Sequence, residues 1–252
     1  LHCKFCQNWE ISQQNPEDAE VFALGPARIV DLALKNDCPS IAYTYTEPLV
    51  FYEYTRDTSR LARAAGLRNV LVTAGYLNRE PLAEMYRVVD ASNTDLKSFD
   101  EAFYRDQCGA GLRPVLDGLV LAREMGVWLE VTNLLIPTLN DDPALITRMC
   151  RWMVQYLGAD VPLHFSRFSP KYQLQNLPPT PAESLVRARD IALGEGLRHV
   201  YIGNVPGSPG EHTSCPGCGT LLIQRIGYHT EVVGLAGARC RKCERQIAGV
   251  WT

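Results

Sequence analysis

Residues 40–75 read SIAYTYTEPLVFYEYTRDTSRLARAAGLRNVLVTAG, and this stretch sets the expected fold. Residues 40–45 (SIAYTY) and 69–74 (NVLVTA) are rich in β-branched and aromatic residues, the composition of strands. Between them, residues 49–65 read as a helix that stops at Gly66, a residue free to take the left-handed conformation of a helix end. Strand, helix, strand predicts a parallel pair joined by a crossover helix. The alternation continues along the chain. Residues 92–97, 127–136, 161–168 and 199–202 read as strands, and 81–89, 115–124, 142–157 and 182–195 as helices. In the third of these helices Leu145, Met149, Trp152, Met153 and Tyr156 share one face at helical spacing. Five clear strands and a weaker one are too few for an eight-fold barrel at about 30 residues per unit. An open, partial α/β barrel is the expected fold.

Residues 204–214 (NVPGSPGEHTS) are Gly/Pro-rich and read as a linker. Beyond them the chain changes to short hairpin-like segments around cysteine pairs. The expected domains are therefore 1–204, the barrel, and 205–252, the linker with a small metal-held domain. The chain has 252 residues, 46% apolar and 21% charged, which excludes disorder and coiled coil. A net charge of −3 gives no global reason to bind nucleic acid or an anionic membrane. No apolar run approaches the roughly 20 residues of a membrane span. Nine cysteines, six of them in C-x-x-C pairs, argue for metal in a reducing compartment rather than a disulfide framework, and so for a cytoplasmic protein. Phosphate-loop, zincin and serine-hydrolase motifs are missing from the sequence.

Cys3-Lys4-Phe5-Cys6 is followed by Gln7-Asn8-Trp9-Glu10. Two thiolates at this spacing can grip one metal or one cluster edge. A redox dithiol and a half-built zinc site use the same spacing. The run LHCKFCQNWEISQ (residues 1–13) resembles the radical S-adenosylmethionine (SAM) enzymes of the AmmeMemoRadiSam system, a group related to the activating enzymes of pyruvate formate-lyase. The likeness extends over nearly the whole chain, C-terminal cysteines included. The signature of these enzymes is C-x-x-x-C-x-x-C. The resemblance therefore puts a first cysteine four residues before Cys3, and the expectation is an N-terminally truncated chain. The fold it implies is a partial (β/α)6-type radical SAM barrel lacking its first strand.

The resemblance also implies the chemistry. A [4Fe-4S] cluster held by three thiolates, Cys3 and Cys6 among them, leaves one iron open. S-adenosyl-L-methionine chelates that iron and is cleaved reductively to methionine and a 5′-deoxyadenosyl radical, which takes hydrogen from a substrate the sequence does not identify. A reductant such as flavodoxin or ferredoxin and the AmmeMemo proteins are the implied partners. A glycyl-radical enzyme activase is the alternative within this fold. A zinc-ribbon binding module on an inactive barrel is the alternative of another class.

Ligands of parallel sheets bind at the C-terminal strand ends, and the resemblance assigns residues there to the cofactor. Glu47, in Thr46-Glu47-Pro48, matches the acid that meets the ligand's ammonium group; it can equally be an acid at a helix start. Thr73 before Gly75 lines the methionine pocket or precedes a turn. Asp95 and Lys97 match a D-x-K run facing the ligand, or form a surface ion pair. Asn133 follows Thr132 in the strand that backs the adenine. His164 lies near ribose or adenine, or is a satisfied core histidine. Phe5 stacks near adenine or packs in the core.

Cys215-Pro216-Gly217-Cys218 and Cys240-Arg241-Lys242-Cys243 are two C-x-x-C knuckles about 20 residues apart, the spacing of a four-cysteine zinc ribbon. Iron in a rubredoxin-like site suits the same four thiolates. Arg225, Arg239, Arg241, Lys242 and Arg245 make this segment basic, which reads as a solvated face. Cys38, Cys108 and Cys150 have no partner spacing and read as small buried apolar residues.

Overall fold

The computed structural model describes residues 1–13, 15–18 and 21–251. Six strands, β1 (Ser40–Tyr43), β2 (Arg68–Thr73), β3 (Ala91–Asp95), β4 (Trp128–Leu135), β5 (Leu163–Arg167) and β6 (Val200–Gly203), form one sheet in chain order. β1 pairs with β2, β2 with β3 and β5 with β6, each in parallel. Helices connect the strands, as the alternation predicts. Two compact units share the chain: residues 1–131 with 170–177, and residues 132–169 with 178–252. The segment from residue 205 onward belongs to the same unit as β5 and β6.

In the first unit, α1 (Trp9–Ser12) is a single turn, and α2 (Pro26–Lys35) and α3 (Tyr52–Ala64) precede β1 and β2. Sequence reading passes over α2, although Gly25 and Pro26 open it with the residues favoured at a helix start. Val30 and Ala33 of α2 meet Ala62 of α3 and Leu67 in a buried cluster with Ile41. α3 begins three residues later than read, because residues 48–51 form a turn before it. Asn69 at the start of β2 is fully buried and ties four segments together. Its Oδ1 accepts from Tyr43 Oη at 3.0 Å, its Nδ2 donates to the Ser59 and Val88 carbonyls at 2.9 Å, and its backbone N–H donates to Asp90 Oδ2 at 2.8 Å. Asn69→Leu strands a buried hydroxyl and two buried carbonyls. At about 1–3 kcal/mol for each group left unpaired, urea unfolding of this variant is expected to show a loss of at least about 3 kcal/mol. An unchanged midpoint contradicts the hub.

α4 (Arg79–Tyr86) starts two residues earlier than read, and α6 (Leu112–Glu124) three. Before α6 the chain makes a short α5 (Glu101–Phe103), capped by Asp100, and a π-turn over Tyr104–Cys108 that ends at Gly109 with φ of 65°. Neither leaves a periodic signal in the sequence.

In the second unit, α7 (Pro143–Tyr156) is capped by the Asp142 carboxylate, which accepts from Leu145 N at 2.8 Å. α8 (Ala182–Gly194) precedes β6. Residues 204–214 are not a free linker. A short 3-10 turn over Pro209–Glu211 packs on β6, and Gly210 lies so close that an added Cβ would sit 2.9 Å from the Ile202 side chain. β7 (Thr213–Ser214) then pairs with β8 (Leu221–Ile226), and β8 with β9 (His229–Val232), all antiparallel. β10 (Leu235–Ala236) and β11 (Arg239–Cys240) form a two-stranded hairpin. Leu222, Ile223, Leu235 and Ile247 make a small apolar core with Cys215 and Cys240.

Candidate functional site

The loop Cys3–Cys6 is framed by two segments far away in sequence. On the π-turn, the Cys108 carbonyl accepts from His2 N and the Gln107 carbonyl from Lys4 N, both at 2.9 Å. From residues 170–177, Gln173 N donates to the Lys4 carbonyl at 3.0 Å, and Tyr172 stacks on Trp9 with centroids 5.5 Å apart. Cys3 is thereby buried beside Cys108, which is fully buried. The Cys108 thiol donates to Cys3. That bond outweighs the burial that opposes a thiolate, and with help from the Lys97 ammonium it brings the Cys3 pKa down to about 7. The same pairing, with burial, pushes Cys108 far up, so Cys108 keeps the proton. Cys108 is buried, as read from the sequence, and it also stands beside the Cys3 sulfur.

Lys97 follows β3, and its Nζ lies 2.7 Å from Asp95 Oδ2. Burial opposes the ammonium, but the Asp95 and Cys3 anions prevail and hold its pKa above the ordinary value. The backbone N–H of Lys97 donates to Tyr104 Oη at 3.0 Å, which fixes the π-turn against the end of β3. Asp95 and Lys97 are thus only partly exposed and stand beside Cys3, not on open surface. Cys6 Sγ is 3.2 Å from Ser12 Oγ on α1.

Three other expected residues, Phe5, Glu47 and Thr73, make contacts within the fold. Phe5 is 3% exposed and packs against Phe103 at 5.8 Å between centroids. Glu47 and Thr73 meet each other: Glu47 Oε1 accepts from Thr73 Oγ1 at 2.5 Å and from Leu49 N at 3.2 Å, and Oε2 accepts from Ala74 N at 2.7 Å. The carboxylate locks the turn after β1 to the end of β2.

In the second unit β4 alternates strictly, with Leu129, Val131, Asn133 and Leu135 on its buried face. Asn133 Nδ2 points to Met149 Sδ of α7 at 3.9 Å. Asn133 thus faces α7, while Thr132 lies on the opposite face of the strand. The period-two face was legible, but not which face α7 covers. His164 is the second residue of β5, not its last, and its ring stacks on Tyr201 of β6 at 5.0 Å. The strand ends at Arg167, whose Nε donates to the Thr180 carbonyl at 2.9 Å.

Among the described residues, one group gathers three or more metal-ligating side chains: Cys215, Cys218, Cys240 and Cys243, with all four sulfurs within 4.8 Å of one another. Cys215 and Cys243 Sγ are 3.5 Å apart, and Cys218 and Cys240 Sγ 3.7 Å. Tetrahedral thiolate ligation at about 2.3 Å needs sulfurs about 3.8 Å apart, so the donor set fits one metal ion. The two knuckles are built alike. Gly219 N donates to the Cys215 carbonyl and Glu244 N to the Cys240 carbonyl, both at 2.9 Å, and both residues turn with positive φ, 71° and 58°. Thr220 hydrogen-bonds the Cys218 sulfur and lowers its pKa to about 6. Glu244 pays for a conformation glycine takes freely, so Glu244→Gly is expected to raise the metal-loaded ribbon's stability by about 0.5–1 kcal/mol. Thermal melts followed on the ribbon check it, and a fall in midpoint contradicts it.

Arg239, Arg241, Lys242 and Arg245 are exposed, as a solvated basic face requires, and Arg225 is half-buried. Three of the five also brace backbone: Arg239 Nη1 donates to the Glu244 carbonyl, Arg241 Nε to the Leu235 carbonyl and Arg225 Nη1 to the Glu211 carbonyl, at 2.7–3.1 Å.

The comparisons agree with this architecture. The uncharacterized protein MJ0808 of Methanocaldococcus jannaschii is 46% identical over 249 residues, 98% of this chain and 74% of its own length. The pyruvate formate-lyase-activating enzyme of Clostridium pasteurianum is 24% identical over 152 residues, 59% of this chain and 63% of its own. The crystal structure of a domain of the pyruvate-formate lyase-activating enzyme from Bacteroides vulgatus superposes with a TM-score of 0.57 at 18% identity, covering 66% of this chain and 99% of that one. The radical SAM superfamily model matches residues 1–148, which contain Cys3, Cys6 and the Asp95–Lys97 pair, and the chain belongs to the radical SAM superfamily.

Proposed function

We propose that the protein is a radical SAM oxidoreductase of the AmmeMemoRadiSam type, whose Cys3 and Cys6 are two thiolate ligands of a [4Fe-4S] cluster. The observation that carries this reading is the setting of the Cys3–Cys6 loop: it lies within the residues that match the radical SAM model, with Cys3 buried and the loop's backbone pinned by the Gln107 and Cys108 carbonyls and by Gln173 N. Membership of the superfamily implies the cluster and SAM as cofactors. When bound, the cluster supplies the electron that cleaves SAM to methionine and a 5′-deoxyadenosyl radical. This chain's own residues do the rest. Cys3 and Cys6 hold the iron edge, Lys97 offsets the negative charge of the thiolate, and Asp95 fixes Lys97 in place.

Zinc is the metal we assign to the four-cysteine ribbon, by analogy with structural sites closed by four thiolates. Metal analysis of the purified protein tests this; iron in that site contradicts it. The likeness to the Clostridium activating enzyme favours a second reading, a glycyl-radical activase. An electron paramagnetic resonance doublet arising on a separate polypeptide supports that reading. Turnover of a small molecule with no protein radical overturns it.

The test of the main reading is anaerobic reconstitution of the purified protein, followed by assay for 5′-deoxyadenosine with dithionite and SAM. Formation of the nucleoside, lost in Cys6→Ala, is the expected result. Absence of the nucleoside from a protein that carries iron and sulfide sinks the reading.

A further inference from the structure

Between the ribbon and the sheet of the second unit runs a chain of polar and aromatic contacts. His164 on β5 and Tyr201 on β6 are register partners, and their rings stack with 23° between planes. Residues of the ribbon hold Tyr201. The Arg225 guanidinium lies 5.6 Å from the centre of the Tyr201 ring. Tyr201 Oη is 3.0 Å from Thr213 Oγ1, and Arg225 Nη1 donates to the same Thr213 Oγ1 at 2.7 Å. Arg225 is itself fixed at two further points: Nη1 donates to the Glu211 carbonyl at 3.1 Å, and its backbone N–H to His212 Nδ1 at 3.2 Å. Thr213 is 5% exposed, so these bonds are shielded from water and stronger for it.

The strand that delivers Arg225 is also the one that packs on the four-cysteine cluster. Leu222 and Ile223 of β8 pack with Cys215 and Cys240 in the ribbon core. Arg225 follows two residues later on the same strand. A planar guanidinium can sit over an aromatic ring while donating in its own plane to Thr213 and the Glu211 carbonyl, a combination an ammonium cannot match.

We propose that the metal-bound ribbon is a brace for the His164 ring, transmitted through Arg225 and Tyr201, with Arg225 the positioning residue. Loss of the metal loosens β8, withdraws Arg225 from Tyr201 and frees the stacked pair. For its consequence, though not for the brace itself, the inference rests on the reading of His164 as a residue facing the nucleoside of SAM. With that reading, ribbon metal and SAM are coupled ligands, each tightening the other by the same factor.

The experiment uses the metal-loaded protein with isotope-labelled histidine. The His164 ring signals are identified by their disappearance in His164→Gln, and the probe ligand is SAM itself. In Arg225→Met, with ribbon metal retained, the His164 signals are expected to move toward those of free histidine, and the SAM dissociation constant to rise roughly tenfold. Chelation of the ribbon metal is expected to give the same displacement. Unmoved His164 signals in Arg225→Met overturn the brace. If that variant loses its metal or does not fold, Tyr201→Phe decides. It keeps the ring but deletes the hydroxyl bond to Thr213, and a smaller displacement in the same direction supports the brace, while none overturns it. Unchanged SAM affinity in His164→Gln sinks the nucleoside reading instead, and the ring signals still judge the brace.

Discussion

Cys240→Ser, or chelation of the metal, is expected to unfold the ribbon from Thr213 to Trp251. Its apolar core holds four aliphatic side chains, Leu222, Ile223, Leu235 and Ile247. At roughly 1.5–3 kcal/mol each, they do not offset the entropy of ordering a segment of nearly forty residues. Structural zinc contributes about 10–16 kcal/mol in comparable small sites, so the metal decides whether the ribbon folds. Trp251 reports on it directly, because its Nε1 donates to the Ile247 carbonyl at 2.9 Å and its ring packs on the ribbon core. The expected result is a red-shifted, more quenchable Trp251 fluorescence in Trp9→Phe/Trp128→Phe/Trp152→Phe protein once metal is removed, restored by adding zinc. Unchanged Trp251 emission after complete metal removal contradicts the account.

Lys97→Met is the second large effect. It removes the cation that faces both Asp95 and Cys3. Because the pair is partly exposed, the loss of stability is expected to be about 1–3 kcal/mol, between the values of surface and buried pairs. The Cys3 titration is expected to move upward from about 7 in cluster-free protein, as followed by thiolate absorbance. The pH dependence has a fixed sign. Cys3 has a folded pKa below its unfolded value of 9.0, so it contributes stability that is present above pH 9 and lost as pH falls through about 7. Cys108 is shifted the other way, and its contribution is lost as pH rises above 9. Cluster-free protein should therefore gain stability from pH 7 to 9 and lose it beyond. In Cys108→Ala the Cys3 midpoint should rise. A midpoint that stays near 7 in both variants contradicts the arrangement.

The parts of this structure written in local pattern were legible. Runs such as Asn69–Ala74 and Val127–Ile136 announce strands because β-branched and other apolar residues dominate them, and the two C-x-x-C knuckles announce their site because all four ligands sit at fixed local spacing. Long-range placement was not legible. Cys108 carries no partner spacing, yet the π-turn sets it against Cys3 from a hundred residues away. Residues 170–177 return to the Cys3–Cys6 loop with no sequence mark of doing so. Asn133 and Thr132 differ only in which face a helix covers, and that depends on how α7 packs. Arg225 looked like one of several surface charges because its partners, Tyr201 and Thr213, are recognisable only once β6 and β8 are built.

The reading of Cys3 and Cys6 as iron ligands meets its most direct test in the elemental content of the protein isolated without oxygen. The account predicts iron and acid-labile sulfide in a four-to-four ratio, typical of one [4Fe-4S] cluster, and their loss in Cys3→Ala with the ribbon metal retained. Protein that carries the ribbon metal alone, with no iron and no sulfide in the unsubstituted chain, contradicts it.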